Sequence, residues 1–323
     1  MKLFYTTDLH GSERTFQKLL EAIRTRTEID VFILGGDHAG KGFYPKQPIE
    51  GGWCIHGPQQ ASVINSPEKL AIAEERAAFH GAYLVDLPPD ESLNITAPYI
   101  VPAAAKHQAI IARAKDWAAR LSQAAQESGK KIVITFGNTD PYTLDLVYQK
   151  PGLLVATNSA VDLPNDWKLI SVAEVPVKNK SKTERGATED EIRSRIRKLS
   201  GEAHGVNKTI WAIHCPPITT PIATRKKDKG VFGSYGVFSK ISKKGPPLSL
   251  HGHIHQPQKR QCRIGRTLCL NPGSRLGRLD AAIITLEGGR VQRAQIEIER
   301  MGTNPLPLAL ANIARIKQAA RGA

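Results

Sequence analysis

The chain has 323 residues, 45 Lys and Arg against 30 Asp and Glu, and a formal net charge of +15. Hydrophobic residues make up 41%, enough for a packed core, which excludes a disordered chain. No apolar run approaches the ~20 residues a membrane helix needs, so no membrane role is expected. The four cysteines, Cys54, Cys215, Cys262 and Cys269, lack zinc-ribbon spacing and read as free thiols in a reducing compartment. The first residues run directly into a strand without a leader pattern, and a cytoplasmic location is expected.

Lys2 to Thr7 is a short apolar strand that ends in Asp8-Leu9-His10-Gly11, two ligand types two positions apart. Ser12 suits an N-cap, and Phe16, Leu19, Leu20 and Ile23 recur at helical spacing, so a helix to about Thr25 is expected. Val31 to Leu34 is a buried strand bounded by Gly35-Gly36 and followed by Asp37-His38. Such a β-α-β beginning sets ligand loops at strand carboxyl ends, where open α/β sheets form sites.

Gly40 to Pro58 is rich in Gly and Pro and reads as loop, with a hairpin at most. Ser66-Pro67 starts a helix that Gly81 ends, and a longer helix is expected from about Pro102 to Ser128, closed by Gly129. Ile132 to Phe136 is another buried strand, and it delivers Gly137-Asn138-Thr139-Asp140-Pro141. Strands follow at Leu153 to Thr157 and Lys168 to Val175. A helix from Thr188 to Leu199 opens with capping-box spacing to Glu191. Thr209 to Ile213 is a strand ending at His214, and Ser234 to Ser242 is a candidate helix. A tight hairpin joins Arg263 to Thr267, a last one runs through Gly288-Gly289, and Leu306 to Arg321 is a basic helix expected to dock outside.

The densest chemistry is Leu250-His251-Gly252-His253-Ile254-His255. Alternation past a strand end puts His253 and His255 on one side and turns His251 away. Gly252 lets the backbone approach a bound ion without a Cβ in the way. Together with Asp8, His10, Asp37, Asn138 and His214, these residues form a mixed imidazole, carboxylate and amide set. Such sets suit Mn, Fe, Co, Ni or Zn. Seven ligands are too many for one ion and about right for two, with a carboxylate shared between them.

Asp8-x-His10, Gly36-Asp37, Gly137-Asn138, His214 and Gly252-His253-x-His255 resemble, in order and context, the five-motif pattern of the calcineurin-like metallophosphoesterase superfamily. Asn271-Pro272-Gly273-Ser274 is similar to a segment of its small bacterial phosphodiesterase branches. The resemblance spans about residues 1–299. It implies two mixed β-sheets packed as a sandwich with helices on both outer faces, a four-layer αββα fold. It also implies two divalent transition-metal ions. Asp8, His10 and His255 would hold the first, Asp37 would bridge, and Asn138, His214 and His253 would hold the second. The implied reaction is hydrolysis of an anionic phosphate ester, a phosphodiester above all, by in-line attack of a metal-bridging hydroxide. Asp37, Asn138 and His214 would be the catalytic positions.

Two positions depart from that pattern. Many members of the family carry His after the Asn, where it helps protonate the leaving group; here Thr139 stands there. A threonine hydroxyl does not titrate near neutral pH. Asp140 is a candidate substitute, but Asp before Pro141 reads first as the N-cap of a helix over Tyr142 to Tyr148. After Asp37 the run is His38-Ala39-Gly40-Lys41-Gly42, in which Lys41 reaches either a substrate phosphate or solvent, and His38 either supports a ligand or lies in a loop.

One domain over 1–299 is expected to gather the ligands, with a largely helical insert at about 41–129 and a docked C-terminal helix over 300–323. Basic runs at Arg225-Lys226-Lys227, Lys243-Lys244, Lys259-Arg260 and Arg275 to Arg278 flank the His214 and His255 loops and favour steering of an anion. A DNA or RNA nuclease is the alternative, opposed by the sparse aromatic residues. A metal-bound scaffold for phosphorylated ligands is a third reading.

Overall fold

The computed structural model describes residues 1–57, 61–87, 101–157, 159–177 and 183–298. The chain begins β1 (Lys2–Thr6), α1 (Glu13–Thr25), β2 (Val31–Leu34), β3 (Gly42–Ile49), β4 (Gly52–His56) and β5 (Ala61–Ile64). It continues α2 (Pro67–Phe79), β6 (Ala82–Asp86), α3 (Ala103–Ser128), β7 (Lys131–Ile134), α4 (Leu144–Val147), β8 (Leu153–Val155) and β9 (Val161–Asp162). Next come β10 (Lys168–Val172), β11 (Val175–Pro176), β12 (Gly186–Ala187), α5 (Glu189–Glu202), β13 (Thr209–Ile213), α6 (Tyr235–Lys244) and β14 (Leu248–Leu250). Two antiparallel hairpins follow, β15 (Gln261–Ile264) with β16 (Thr267–Leu270) and β17 (Ala281–Glu287) with β18 (Arg290–Glu297).

Two six-stranded sheets carry the fold, ordered β18-β17-β1-β2-β7-β8 and β15-β16-β14-β13-β10-β9. Each has four parallel strands, β1-β2-β7-β8 running to one edge of the first sheet and β16-β14-β13-β10 at the centre of the second. Alternation along the strands sorts the side chains into layers. Leu3, Tyr5, Val31 and Ile33 of the first sheet meet Leu169, Ile210, Leu248 and Leu268 of the second in one apolar layer. The outward residues Phe4, Phe32 and Ile132 pack on Phe16 and Ile23 of α1 and Trp117 and Leu121 of α3. On the far side Ile170, Trp211 and Ile213 pack on Ile192 and Ile196 of α5 and Val237 and Ile241 of α6. The result is helix, sheet, sheet, helix, the four-layer sandwich expected. Burial on both faces is why the parallel strands are near-continuous apolar runs.

The helix starts follow their sequence signals. Ser12, Thr188 and Ser234 each accept from the third residue on, and Thr188 with Glu191 closes a capping box. Gly129 takes a left-handed φ of 67° after α3.

The segment after β2, expected as a largely helical insert over about 41–129, holds α2 and α3 and also a sheet that the sequence did not announce. Residues 42–86 form a four-stranded sheet, β5-β4-β3-β6, with α2 as their one described helix. The helix α3 belongs to the main body, packed against α1 and β7. The basic C-terminal helix, at Leu306 to Arg321, lies outside the described residues. No described helix is long and apolar enough to cross a membrane, and all four cysteines are free thiols.

Candidate metal centre

Five parallel strands end at one place between the two sheets. Asp8 and His10 follow β1, Asp37 follows β2 and Asn138 follows β7; His214 follows β13, and His253 and His255 follow β14. The loops are laced together by backbone bonds, Asp8 N to Gly36 O at 2.9 Å, His10 N to Asp37 O at 2.9 Å and Gly252 N to His214 O at 3.0 Å. Asp8, His10, Asp37 and His253 all have positive φ, at 57°, 44°, 63° and 66°. Left-handed backbone outside glycine costs free energy and clusters at functional sites.

All seven expected ligands come together. One ligand atom each from Asp8, His10, Asp37 and His255 lies within 4.8 Å of the others. His10 Nε2 is 3.6 Å from Asp37 Oδ2, while His214 Nε2 is 3.4 Å from Asp37 Oδ1. The two oxygens of Asp37 therefore address opposite halves of the cluster, as a shared carboxylate must. On the second half His253 Nδ1 stands 2.9 Å from Asn138 Oδ1, and the His214 and His253 rings are 5.5 Å apart.

The donor set fits bound cations on three observations. His10 Nε2 and His255 Nε2 face each other at 2.7 Å, an arrangement that needs a proton or a cation between two lone pairs. Among the described residues neither ring nitrogen of the buried His214 makes a well-formed hydrogen bond, Nε2 having only Asp37 Oδ1 at 3.4 Å, which is costly unless something binds there. Gly252 is closely enclosed: a Cβ on it would lie 2.2 Å from Thr7 Oγ1 and 2.5 Å from Asp8 Oδ2.

Electrostatics follow from the crowding. Burial pushes Asp37 up, but His214, then His10 and the Thr139 N–H, override it and hold the carboxyl well below its usual range. Burial pushes His214 down, and Asp37 more than offsets this, raising it to about 9. Burial first, then the His214 charge, lowers His253 to about 4. Burial also lowers His255, whose side chain is the most open of the set at 42% exposed.

Four groups hold the ligand loops, Asp140, Arg185, Asn271 and Ser274; the sequence assigned this role to none of them. Asp140 was expected to cap a helix, and the structure corrects this. The short helix α4 starts after Thr143 with no side-chain cap. The Asp140 carboxylate is instead buried and accepts from Asp37 N at 2.8 Å, Gly137 N at 2.9 Å and Ala39 N at 2.9 Å. It ties the Asp37 loop to the Asn138 loop. Arg185, also fully buried, donates Nε to Asp140 O at 2.7 Å, pairs with Asp145 and stacks on Phe136 and Tyr142. Asn271 Nδ2 donates to Gly252 O and Ile254 O at 3.0 and 3.1 Å, and Ser274 Oγ donates to Asp8 O at 2.6 Å.

The remaining expected positions sort simply. His38 is buried, with Nε2 at 2.8 Å from Thr135 O, and packs on Phe136 and Tyr148. His251 is turned away from the cluster, with Nδ1 at 2.8 Å from Ile213 O. Thr139 donates its backbone N–H to Asp37 Oδ1 at 2.9 Å, and its hydroxyl is buried without a partner among the described residues. Lys41 is exposed and close enough to His255 to act on its charge. The basic segment lies directly on the histidine loop: Lys226 N donates to Gln256 O at 2.9 Å, and Arg225 bridges to Pro257.

No family model and no curated protein matches the chain. Solved structures do. One crystal structure matches at 13% identity and a TM-score of 0.58, over 92% of this chain and 98% of the other. The protein TT1561 of Thermus thermophilus matches at 12% identity and a TM-score of 0.52, over 91% of this chain and 98% of its own. At such identities the likeness is one of fold alone. The chain shares with these proteins the four-layer αββα sandwich that its five motifs predict.

Proposed function

We propose that the protein is a metal-dependent hydrolase of phosphate esters, of the calcineurin-like metallophosphoesterase type, and that phosphodiesters are its preferred substrates. The observation that carries this reading is the convergence of seven ligand side chains, with the two oxygens of Asp37 facing opposite halves. Asp8, His10 and His255 would hold one ion, Asn138, His214 and His253 the other, with Asp37 shared. Two such cations acidify a shared water and stabilise the oxygens of an in-line displacement at phosphorus.

The chain itself supplies orientation, charge and access. Asp140 and Asn271 fix the loops that carry the ligands. His255 marks the open side of the cluster. Lys41 and the Arg225 to Lys227 run lie beside it, where positive charge attracts a phosphate ester. The Thr139 hydroxyl supplies no titrating acid, so the leaving group must depart without a proton from that position.

The test is a panel of bis-aryl phosphate, aryl phosphate, cyclic nucleotides and labelled oligonucleotides, with Mn, Fe, Co, Ni and Zn varied. The expected result is metal-restored turnover, fastest on the bis-aryl diester. Faster cleavage of oligonucleotides would move the assignment to a nuclease. Stoichiometric binding of phosphate esters without turnover by any metal form would leave a scaffold, and hydrolysis would be the wrong reading.

A further inference from the structure

A cavity of about 820 Å³ opens at the end of the sandwich opposite the ligand cluster. Topology fixes its place. Lys208 immediately precedes β13 and Pro247 precedes β14, the strands whose other ends carry His214 and His253. Arg263 and Arg266 belong to the β15–β16 hairpin of the same sheet, and Arg290 opens β18 in the other sheet. Both sheets therefore contribute walls.

Four cations line this space, and no acid among the described residues does. Of the four, only Lys208 has a described carboxylate partner, Asp166 at 3.5 Å, in an exposed pair of the kind that contributes little. Arg266 donates to Gly245 O at 3.0 Å and to Asn207 Oδ1 at 3.1 Å, which orients the guanidinium without neutralising it. Arg263 donates to the Arg266 carbonyl at 3.3 Å. Like charges gathered around one cavity repel until an anion enters. The volume is that of a small-molecule pocket, and three guanidinium groups suit bidentate contact with several phosphoryl oxygens. No described aromatic side chain lines it, so it lacks the stacking platform of a single-strand binder.

We infer that this cavity binds a small oligophosphate, an anion with two or more linked phosphoryl groups, at a site separate from the metal centre. The linked phosphates are the recognised element, whether free or carried on a nucleoside.

The probe is inorganic tripolyphosphate, titrated calorimetrically into the chelator-treated full chain at low salt. One site per chain is expected, weakening as salt rises. Combined Arg263→Gln and Arg290→Gln should weaken it at least about tenfold, since each removes a charge-assisted contact. Asp37→Asn should leave it unchanged. ATP should bind comparably and adenosine not at all; comparable binding of adenosine would overturn recognition of the phosphates. Unchanged affinity in the double variant overturns the proposal, and so does a changed affinity in Asp37→Asn, which would put the anion in the metal centre. Displacement by a labelled oligonucleotide whose affinity grows with length would reassign the surface to nucleic acid. If the double variant unfolds early, Arg290→Gln alone serves, because its side chain is exposed and has no described partner.

Discussion

Asp140→Asn tests whether the ligand loops are held from the side rather than by the ligands themselves. The native carboxylate is 1% exposed and satisfies three backbone N–H groups, two at Oδ2 and one at Oδ1. An amide has one acceptor oxygen, so its NH₂ must face either one or two of those donors. Each buried donor left unpaired costs about 1–3 kcal/mol, and loss of the charged acceptor adds to this. The expected destabilisation is therefore about 2–5 kcal/mol, a large part of the ~5–15 kcal/mol typical of a folded domain. Urea unfolding of the metal-free chain measures it, and elemental analysis should show metal loss with Asp37, Ala39 and Gly137 no longer tethered. Hydrolysis of aryl and alkyl esters should fall together. A helix cap would behave differently, because Asn caps as well as Asp. A general acid would differ again, with alkyl esters lost and aryl esters spared. Stability within about 0.5 kcal/mol of wild type, the range of substitutions away from special features, together with full metal content, would refute the tether.

Asp37→Ala should lose more metal than Asp8→Ala, because only Asp37 faces both halves; equal retention by elemental analysis would dismantle the shared-carboxylate arrangement. Gly252→Ala forces a Cβ to within 2.2 Å of Thr7 Oγ1 and 2.5 Å of Asp8 Oδ2. It should lower metal content and reduce the melting temperature by several degrees, as a cost of about 1–3 kcal/mol implies; normal values for both would mean that the loop has room. His214 is raised to about 9 in the cation-free protein and His253 lowered to about 4. At pH 8 only His214 of these two is an imidazolium, and it must lose its second proton to ligate a metal. Metal affinity should thus rise with pH up to about 9, with close to one proton released per chain. Calorimetry in buffers of different ionisation enthalpy counts it, and zero release would exclude His214 as a ligand.

The central sheets were readable because the strands are buried on both faces. Val31–Leu34 and Thr209–Ile213 are unbroken apolar runs, and the caps at Ser12, Thr188 and Ser234 announce the helices after them. The inserted sheet was not readable, and β3 shows why. Its sequence, GFYPKQPI, holds two prolines, which argue against an interior strand. Yet Gly42 to Pro45 pairs only with β6, Gln47 to Ile49 pairs only with β4, and Lys46 between them pairs with both. Each proline therefore has a neighbouring strand on one side alone, as at a sheet edge, where a missing N–H is tolerated.

The ligands were legible for a local reason: each one lies just past an apolar strand, so residue type and strand end are visible in the same few letters. Asp140 lies equally close to a strand end, but its function depends on distance along the chain. Two of its donors, Asp37 N and Ala39 N, are 103 and 101 residues away. They become neighbours only because β2 and β7 pair in parallel and end together. The Asp-Pro pair offers a capping signal that competes locally, and nothing in the sequence says that a tertiary bond will win. Arg185 is harder still, since in a polar and basic segment a buried arginine is spelled like an exposed one. Its burial follows from an enclosure assembled elsewhere, with Phe136 and Tyr142 stacked against its guanidinium, Asp145 as counter-charge, and the carbonyls of Asp140 and Pro141 as acceptors. Part of that enclosure is the Asp140 loop, so a substitution at Arg185 should be felt at Asn138 through Asp140, without Arg185 contacting either ligand half.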